Sequence, residues 1–276
     1  MKLFCFGLGQ TVKNLIGVLK NKNYNNISLI SRSYCNNVKN YYNINEDYID
    51  KEIIKEVIES THILISLPPP YENFVLKNFK SIINESKNLK WLGYLSSTSV
   101  YGNHDGNWVD ENTITKPQTT MGKKRLAAEK NLLKLKKLRI FRLSGIYSKT
   151  NNVFNRINNN QINIIKGKNN YFSRIYIDDI IETLLKSFYN SKDNQIYNVC
   201  DDLPATYIDV IKYACKLLNK NYNFPEIEFD QIQNKFLSEF YKDNKRVSNK
   251  KIKKSLGVNL NFPTYKHGLD FIFKNI

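Results

Sequence analysis

Tyr94-Leu95-Ser96-Ser97-Thr98-Ser99-Val100-Tyr101-Gly102 is the end of an apolar strand that runs into a row of hydroxyls and stops at a glycine. The strand reads over residues 91–96 as a short, nearly continuous apolar run, which marks a strand covered on both faces. Similar runs lie on either side of it, at residues 2–6, 27–30, 63–67, 139–143 and 196–199. The run at 63–67 is halted by Pro68-Pro69-Pro70. Between the runs the apolar spacing turns helical. Val12, Leu15, Ile16 and Leu19 share one helix face. Ile53, Ile54, Val57 and Ile58 share another, in a helix that Asp50 caps and that runs to Glu59. Further helices are predicted at 74–83, around 127–135, and along Ile181, Leu184, Leu185 and Phe188. Thr206 with Asp209 reads as a capping box for a helix through Leu218. Strand–helix alternation of this kind predicts an α/β chain with a doubly wound, mostly parallel sheet.

The first strand ends at Gly7-Leu8-Gly9 and a helix follows at once. Gly7 permits a tight turn. Gly9 lets the backbone approach a pyrophosphate, which sits at the helix N-terminus near Gln10, Thr11 and Val12. The third glycine of a Gly-x-Gly-x-x-Gly turn falls at Val12, whose bulk enters the place where helix and strand pack. A turn of this kind also occurs without a nucleotide; its position at the head of an alternating chain favours a Rossmann-like nucleotide site. The second strand ends in Ser31-Arg32-Ser33. No carboxylate is there to take a ribose 2′-hydroxyl, and Arg32 offers a fork of donors to a 2′-phosphate, so NADP is preferred over NAD.

Taken together, these segments resemble the NAD-dependent epimerase/dehydratase family, the extended short-chain dehydrogenases. Ser96 to Gly102 resembles the family's active-site strand. Phe141-Arg142-Leu143-Ser144-Gly145-Ile146-Tyr147 resembles the loop that packs against the nicotinamide. Arg174-Ile175-Tyr176-Ile177-Asp178-Asp179 resembles its Val-Asp-Asp segment, and Tyr197-Asn198-Val199 its Tyr-Asn-Val strand. The tail, with Lys245-Arg246-Val247-Ser248-Asn249 and Leu256-Gly257, is similar to an atypical subgroup in which Tyr-x-x-x-Lys is commonly absent. The resemblance implies a hydroxyl on the substrate's reacting oxygen at Ser97, with Ser99 and Tyr101 lining the same pocket. It implies cofactor contacts at Ser96, Leu67, Pro68, Pro69, Ser144, Gly145 and Ile146. It puts Arg125 in the place of the lysine that holds the nicotinamide ribose. Arg174, Lys245 and Arg246 are candidates for holding an anionic part of the substrate.

The departure lies in Met121-Gly122-Lys123-Lys124-Arg125, where the family carries Tyr-x-x-x-Lys. A phenol titrates near ~10 and works as a proton carrier only when neighbouring positive charge lowers that value. Met121 has no transferable proton, and Arg125 keeps its charge at any working pH. Three readings follow. Another residue supplies the proton, with Tyr101 ahead of His104 and Asp105, although Tyr101 also reads as a packing aromatic at a strand end. Substrate or water supplies it beside Ser97. Or the chain is a catalytically silent NADP-binding sensor or partner-binding protein. The expected function is that of an NAD(P)-dependent oxidoreductase or epimerase acting on a small carbonyl or sugar substrate.

The 276 residues suffice for one large core. The sheet domain is expected over 1–146 and 174–200, with a small C-terminal substrate lobe from 147–173 and 201–276. The net charge of +17 is carried mostly by dispersed lysine in a chain crowded with Asn, Ile and Tyr, a codon bias sufficient to cause it. No nucleic-acid motif accompanies the charge, so a nucleic-acid function is not expected. No long uncharged apolar run exists, so a membrane span is not expected, and the apolar N-terminus is too short for a signal peptide. Cys5, Cys35, Cys200 and Cys215 show no Cys-x-x-Cys spacing and read as free thiols of a cytoplasmic protein. His62 reads as a core residue and His267 as a surface one. Asp178 and Asp179 read as a helix start, and no metal is expected. A small-molecule substrate is the expected partner, and a homodimer is compatible with the sequence.

Overall fold

A computed structural model describes residues 1–32, 38, 40–44, 49–233 and 235–275. Seven parallel strands form the central sheet: β1 (Leu3–Phe6), β2 (Ile27–Ser31), β3 (Asn40–Asn43), β4 (His62–Ile65), β5 (Trp91–Ser97), β6 (Leu138–Leu143) and β7 (Gln195–Val199). They lie in the order β7-β6-β5-β4-β1-β2-β3, so the strand order reverses between β1 and β4. That reversal opens a crevice at the carboxyl edge, the place where sheets of this kind bind ligands. Leu3 pairs with both Ile27 and His62, fixing β1 at the centre.

Alternate residues of each strand serve opposite faces. Leu3, Cys5, Leu29, Leu64 and Trp91 pack with Val12, Leu15, Ile16 and Leu19 of α1 (Gln10–Asn21). Phe4, Phe6, Ile30, Ile63, Ile65 and Leu92 pack with Ile53 and Val57 of α2 (Lys51–Glu59) and with Val75, Phe79 and Ile83 of α3 (Glu72–Glu85). Helix α4 (Thr120–Leu132) adds Ala128 and Leu132 to that second face. Asp50 caps α2 by accepting from the Glu52 amide at 2.9 Å. Both faces are covered because neither set of apolar side chains can be left in water.

Past β6 the chain adds α5 (Val153–Asn158), α6 (Ile177–Asn190), α7 (Tyr207–Leu217), α8 (Lys235–Phe240), α9 (Lys250–Leu256) and α10 (Tyr265–Phe273). The Thr206–Asp209 capping box opens α7. Two-residue strands knit these segments together, including Trp108–Val109 beside Arg246–Val247. The apolar contacts of α6, α7, α9 and α10 run without a break into the α1 face of the sheet. Asp179 is fully buried at the start of α6 and accepts from the Asn261 and Phe262 amides at 2.7 and 3.0 Å. Asp178 and Asp179 stand in the first turn of α6, as the sequence predicts, and the Asp179 carboxylate also ties residues 261–262 to that helix. Edge strand β3 and helices α5 and α8–α10 do not show in the sequence, because stretches this short carry no sustained period.

Candidate active site

The turn after β1 is shaped by backbone demands. Gly7 has φ +97°, and a Cβ there would lie 3.0 Å from Ser66 Oγ and 3.2 Å from the Leu67 amide nitrogen. Its N–H donates to Ile30 O at 2.8 Å, which ties the turn to β2. Gly9 takes the N-cap position of α1, and a Cβ there would meet nothing within 4 Å. No side chain caps α1 and no acid stands in its first turn. An uncapped helix N-terminus beside open space suits an anion such as a pyrophosphate. Thr11 and Val12 are buried, so the missing third glycine is absorbed as core packing. Gln10 donates from Nε2 to Ser148 Oγ at 3.0 Å, linking the helix start to the loop after β6.

Arg32 is exposed beyond β2. Its guanidinium lies 4.5 Å from the centre of the Tyr71 ring and donates to Tyr71 Oη at 3.0 Å. Ser31 is buried, and Ser33 lies outside the described residues. Leu67 is buried beneath the turn, whereas Pro68 is exposed and Pro69 half-buried.

The second element is a cavity of about 330 Å³ at the carboxyl ends of β5 and β6, lined by Ser97, Ser99, Met121, Arg125, Ser144, Gly145 and Lys245 among others. Ser97 Oγ accepts from the Ser99 amide at 3.2 Å. That bond uses an oxygen lone pair and leaves the hydroxyl hydrogen for a ligand. The first turn of α4 is pressed onto this strand end. A Cβ on Gly122 would stand 2.7 Å from Ser99 O and 2.8 Å from Thr119 Oγ1, so only glycine lets α4 approach. Thr119 caps α4 by accepting from the Gly122 amide at 3.0 Å. The close approach carries Met121 and Arg125 to the cavity wall. Arg125 donates from Nη1 to Tyr94 Oη at 3.0 Å and to Leu95 O at 3.1 Å.

Three expectations need correction. Tyr101 does not line the cavity: it is fully buried and its hydroxyl donates to Asn198 Oδ1 at 2.8 Å. Burial pushes its pKa up to about 12 against the opposing pull of Arg142, the reverse of what a proton-transfer phenol requires. Ser96 does not face a cofactor either. Its hydroxyl donates to Glu129 Oε1, within a buried pair in which Arg142 grips Glu129 at 3.1 and 2.7 Å. This network of Ser96, Glu129, Arg142 and Tyr101 ties α4 and β6 beneath the cavity floor. Nor do the three basic residues form one anion site. Arg174 lines a second cavity of about 370 Å³, and its Nη1 donates to Phe172 O and Ala205 O. Arg246 lies 3.8 Å from the centre of the Tyr171 ring, outside the first cavity's lining. Lys245 lines the first cavity, but its ammonium holds Asp243 Oδ2 at 2.8 Å.

Ile146 lines the second cavity, and Gly145 borders both. His104 binds Tyr101 O at 3.1 Å and, like the exposed Asp105, is outside the lining. His62 packs against Trp91 and Phe188, and burial lowers its pKa to about 4, so it is neutral. His267 is exposed. Sequence reading missed Asp243, Tyr171 and Glu239, all of which line the cavity. Asp243 had a legible signal, since residues two apart on an extended segment point the same way. Among the described residues no cluster of His, Cys, Asp or Glu could hold a metal, and no helix is long and apolar enough to cross a membrane.

No family model matches the chain, and no curated protein does. Solved structures do. A functionally unknown conserved protein from Silicibacter pomeroyi DSS is 31% identical, with a TM-score of 0.85 over 99% of this chain and 98% of its own. A candidate NAD-dependent epimerase/dehydratase from Methylobacillus flagellatus is 20% identical, with a TM-score of 0.76 over 99% and 98%. The human epimerase family protein SDR39U1, solved with NADPH, is 13% identical, with a TM-score of 0.76 over 99% of this chain and 100% of its own.

Proposed function

This chain belongs to one family with the Silicibacter pomeroyi protein and has the fold of the NAD-dependent epimerases and dehydratases, and from that premise we propose that it is an NAD(P)-dependent oxidoreductase acting on a small carbonyl or sugar substrate. The observation that carries the reading is the pairing of an uncapped α1 N-terminus at Gly9 with a hydroxyl- and cation-lined cavity on the same edge of the sheet. Gly7, Gly9 and the first amides of α1 would hold the pyrophosphate, with Leu67 and Pro69 under the ribose. Arg32 would take a 2′-phosphate, so NADP is the preferred cofactor. When bound, the cofactor supplies or accepts a hydride. Ser97 would donate its hydroxyl hydrogen to the reacting oxygen, and Arg125 would fix the nicotinamide ribose and add positive charge where the oxygen gains electrons.

A second reading is that the chain binds NADP without turnover. Met121 favours it, since that residue is 42% exposed at the cavity rim where a phenol would stand. Titrating the protein with NADPH and NADH, then assaying a panel of carbonyl and nucleotide-sugar substrates, separates the two. The oxidoreductase reading expects tighter binding of NADPH and turnover of at least one carbonyl. Binding without turnover supports the silent reading, and binding of neither dinucleotide defeats both.

A further inference from the structure

We propose that Lys245 is the residue that moves the proton at the reacting oxygen, in place of the phenol that Met121 displaces. The inference rests on the oxidoreductase reading above. Lys245 lines the cavity that Ser97, Met121 and Arg125 share, and it is 8% exposed. An ammonium carries three protons, and the structure gives one of them to Asp243 Oδ2. The others remain for the cavity.

Other cavity groups serve the task less well. Arg125 never deprotonates at working pH. Glu239, on α8, accepts from the Thr120 amide and hydroxyl at 3.2 and 2.7 Å. Tyr171 has the Arg246 guanidinium over its ring face. Asp243 is the acceptor of the lysine. Its second oxygen is buried and has no hydrogen-bond partner among the described residues, so the pair is not closed into a structural network. A buried ion pair left part-satisfied is a poor stabilising device, and that points to a functional reason for it.

In the reductive direction NADPH, which Gly7, Gly9 and Arg32 would hold, would supply the hydride at the carbonyl carbon. The Lys245 Nζ–H bond breaks as the carbonyl π pair takes its proton, giving an alcohol and a neutral amine, which solvent reprotonates. In oxidation the neutral amine takes the proton from the hydroxyl. Burial draws the ammonium's pKa below the ordinary lysine value, while Asp243 pulls it back up. The net direction brings it toward a working pH. The charged and titratable groups around it are Asp243 on its own segment, His104 on the facing loop, Arg125 on α4, Glu239 on α8 and Tyr171.

The test has two arms. In protein labelled with 15N-lysine, the Lys245 side-chain resonance is assigned by its loss in Lys245→Arg and followed against pH without cofactor. It is expected to titrate below the surface lysines, and lower still in Asp243→Asn. In the second arm, NADPH and 9,10-phenanthrenequinone are the probes. Lys245→Met combined with Asp243→Asn removes both charges, so neither is stranded in the cavity. That variant is expected to reduce the quinone about 100-fold more slowly, with its NADPH affinity unchanged. Lys245→Arg is expected to lose turnover as well. A Lys245 that titrates with the surface lysines, or a double variant with wild-type rate and pH profile, overturns the proposal. Wild-type protein that fails to bind NADPH strikes the oxidoreductase reading instead, which the titration arm does not need.

Discussion

Helices α1 and α4 begin at the same edge of the sheet but end in opposite ways. The N-terminus of α1 carries no side-chain cap and faces open space at Gly9. The N-terminus of α4 is closed: Thr119 caps it, Glu239 takes the Thr120 amide, and Gly122 sits against Ser99 O. The open end leaves its amides to a ligand. The closed end spends its own on positioning side chains. This difference explains how one site follows a family pattern while the other departs from it. A site made of backbone amides depends on the path of the chain, which Gly7 sets by its positive φ and its close contact with Ser66 and Leu67, while Gly9 leaves the approach to the amides open. A site made of side chains keeps its geometry when Met121 and Arg125 replace the expected pair, because the frame resides in Thr119, Gly122 and the Glu129–Arg142 bridge.

The largest effect is expected at Gly9. Gly9→Asp would cap α1 well and meets no neighbour, so the melting temperature should hold or rise. The same carboxylate would stand against the pyrophosphate, and NADPH affinity should fall about 100-fold or more by calorimetry, equivalent to roughly 3 kcal/mol. Unchanged affinity would mean that the open end of α1 is not the phosphate site. At the closed end, Arg125→Met removes the cavity's permanent cation and its bonds to Tyr94 and Leu95. Turnover should fall about 30-fold, a loss of roughly 2 kcal/mol of transition-state stabilisation, read in kcat/KM. Tyr101→Phe acts from beneath the cavity. It should cost about 1–2 kcal/mol in denaturant unfolding through the bond to Asn198, with cofactor affinity and turnover unchanged. Arg32→Ala is the mildest change. It should weaken NADPH about tenfold, roughly 1.4 kcal/mol, and leave NADH as it was.

The fold was legible in the sequence wherever a period ran long enough. Six of the seven sheet strands and the capped starts of α2 and α7 follow from apolar runs, Asp50 and Thr206. Strand β3 did not, because Asn40-Tyr41-Tyr42-Asn43 lies at the sheet's edge and needs no apolar run. The turn after β1 was legible because Gly7 there meets a backbone need, a φ of +97°. The direction of single side chains was not. Tyr101 ends the active-site segment in sequence, yet its carbonyl accepts from the Lys116 amide at 3.1 Å and its phenol lies in the core. Nothing local shows that Lys245 and Ser97 line one cavity, since that depends on the tail folding back over the sheet.

In the proposed function the open end of α1 holds a nicotinamide dinucleotide above a cavity set by the closed end of α4. Calorimetric titration of the wild-type protein with NADPH tests it most directly. The expected result is one site per chain with a dissociation constant in the micromolar range, lost in Gly9→Asp. Absence of binding by both NADPH and NADH to folded protein would contradict it.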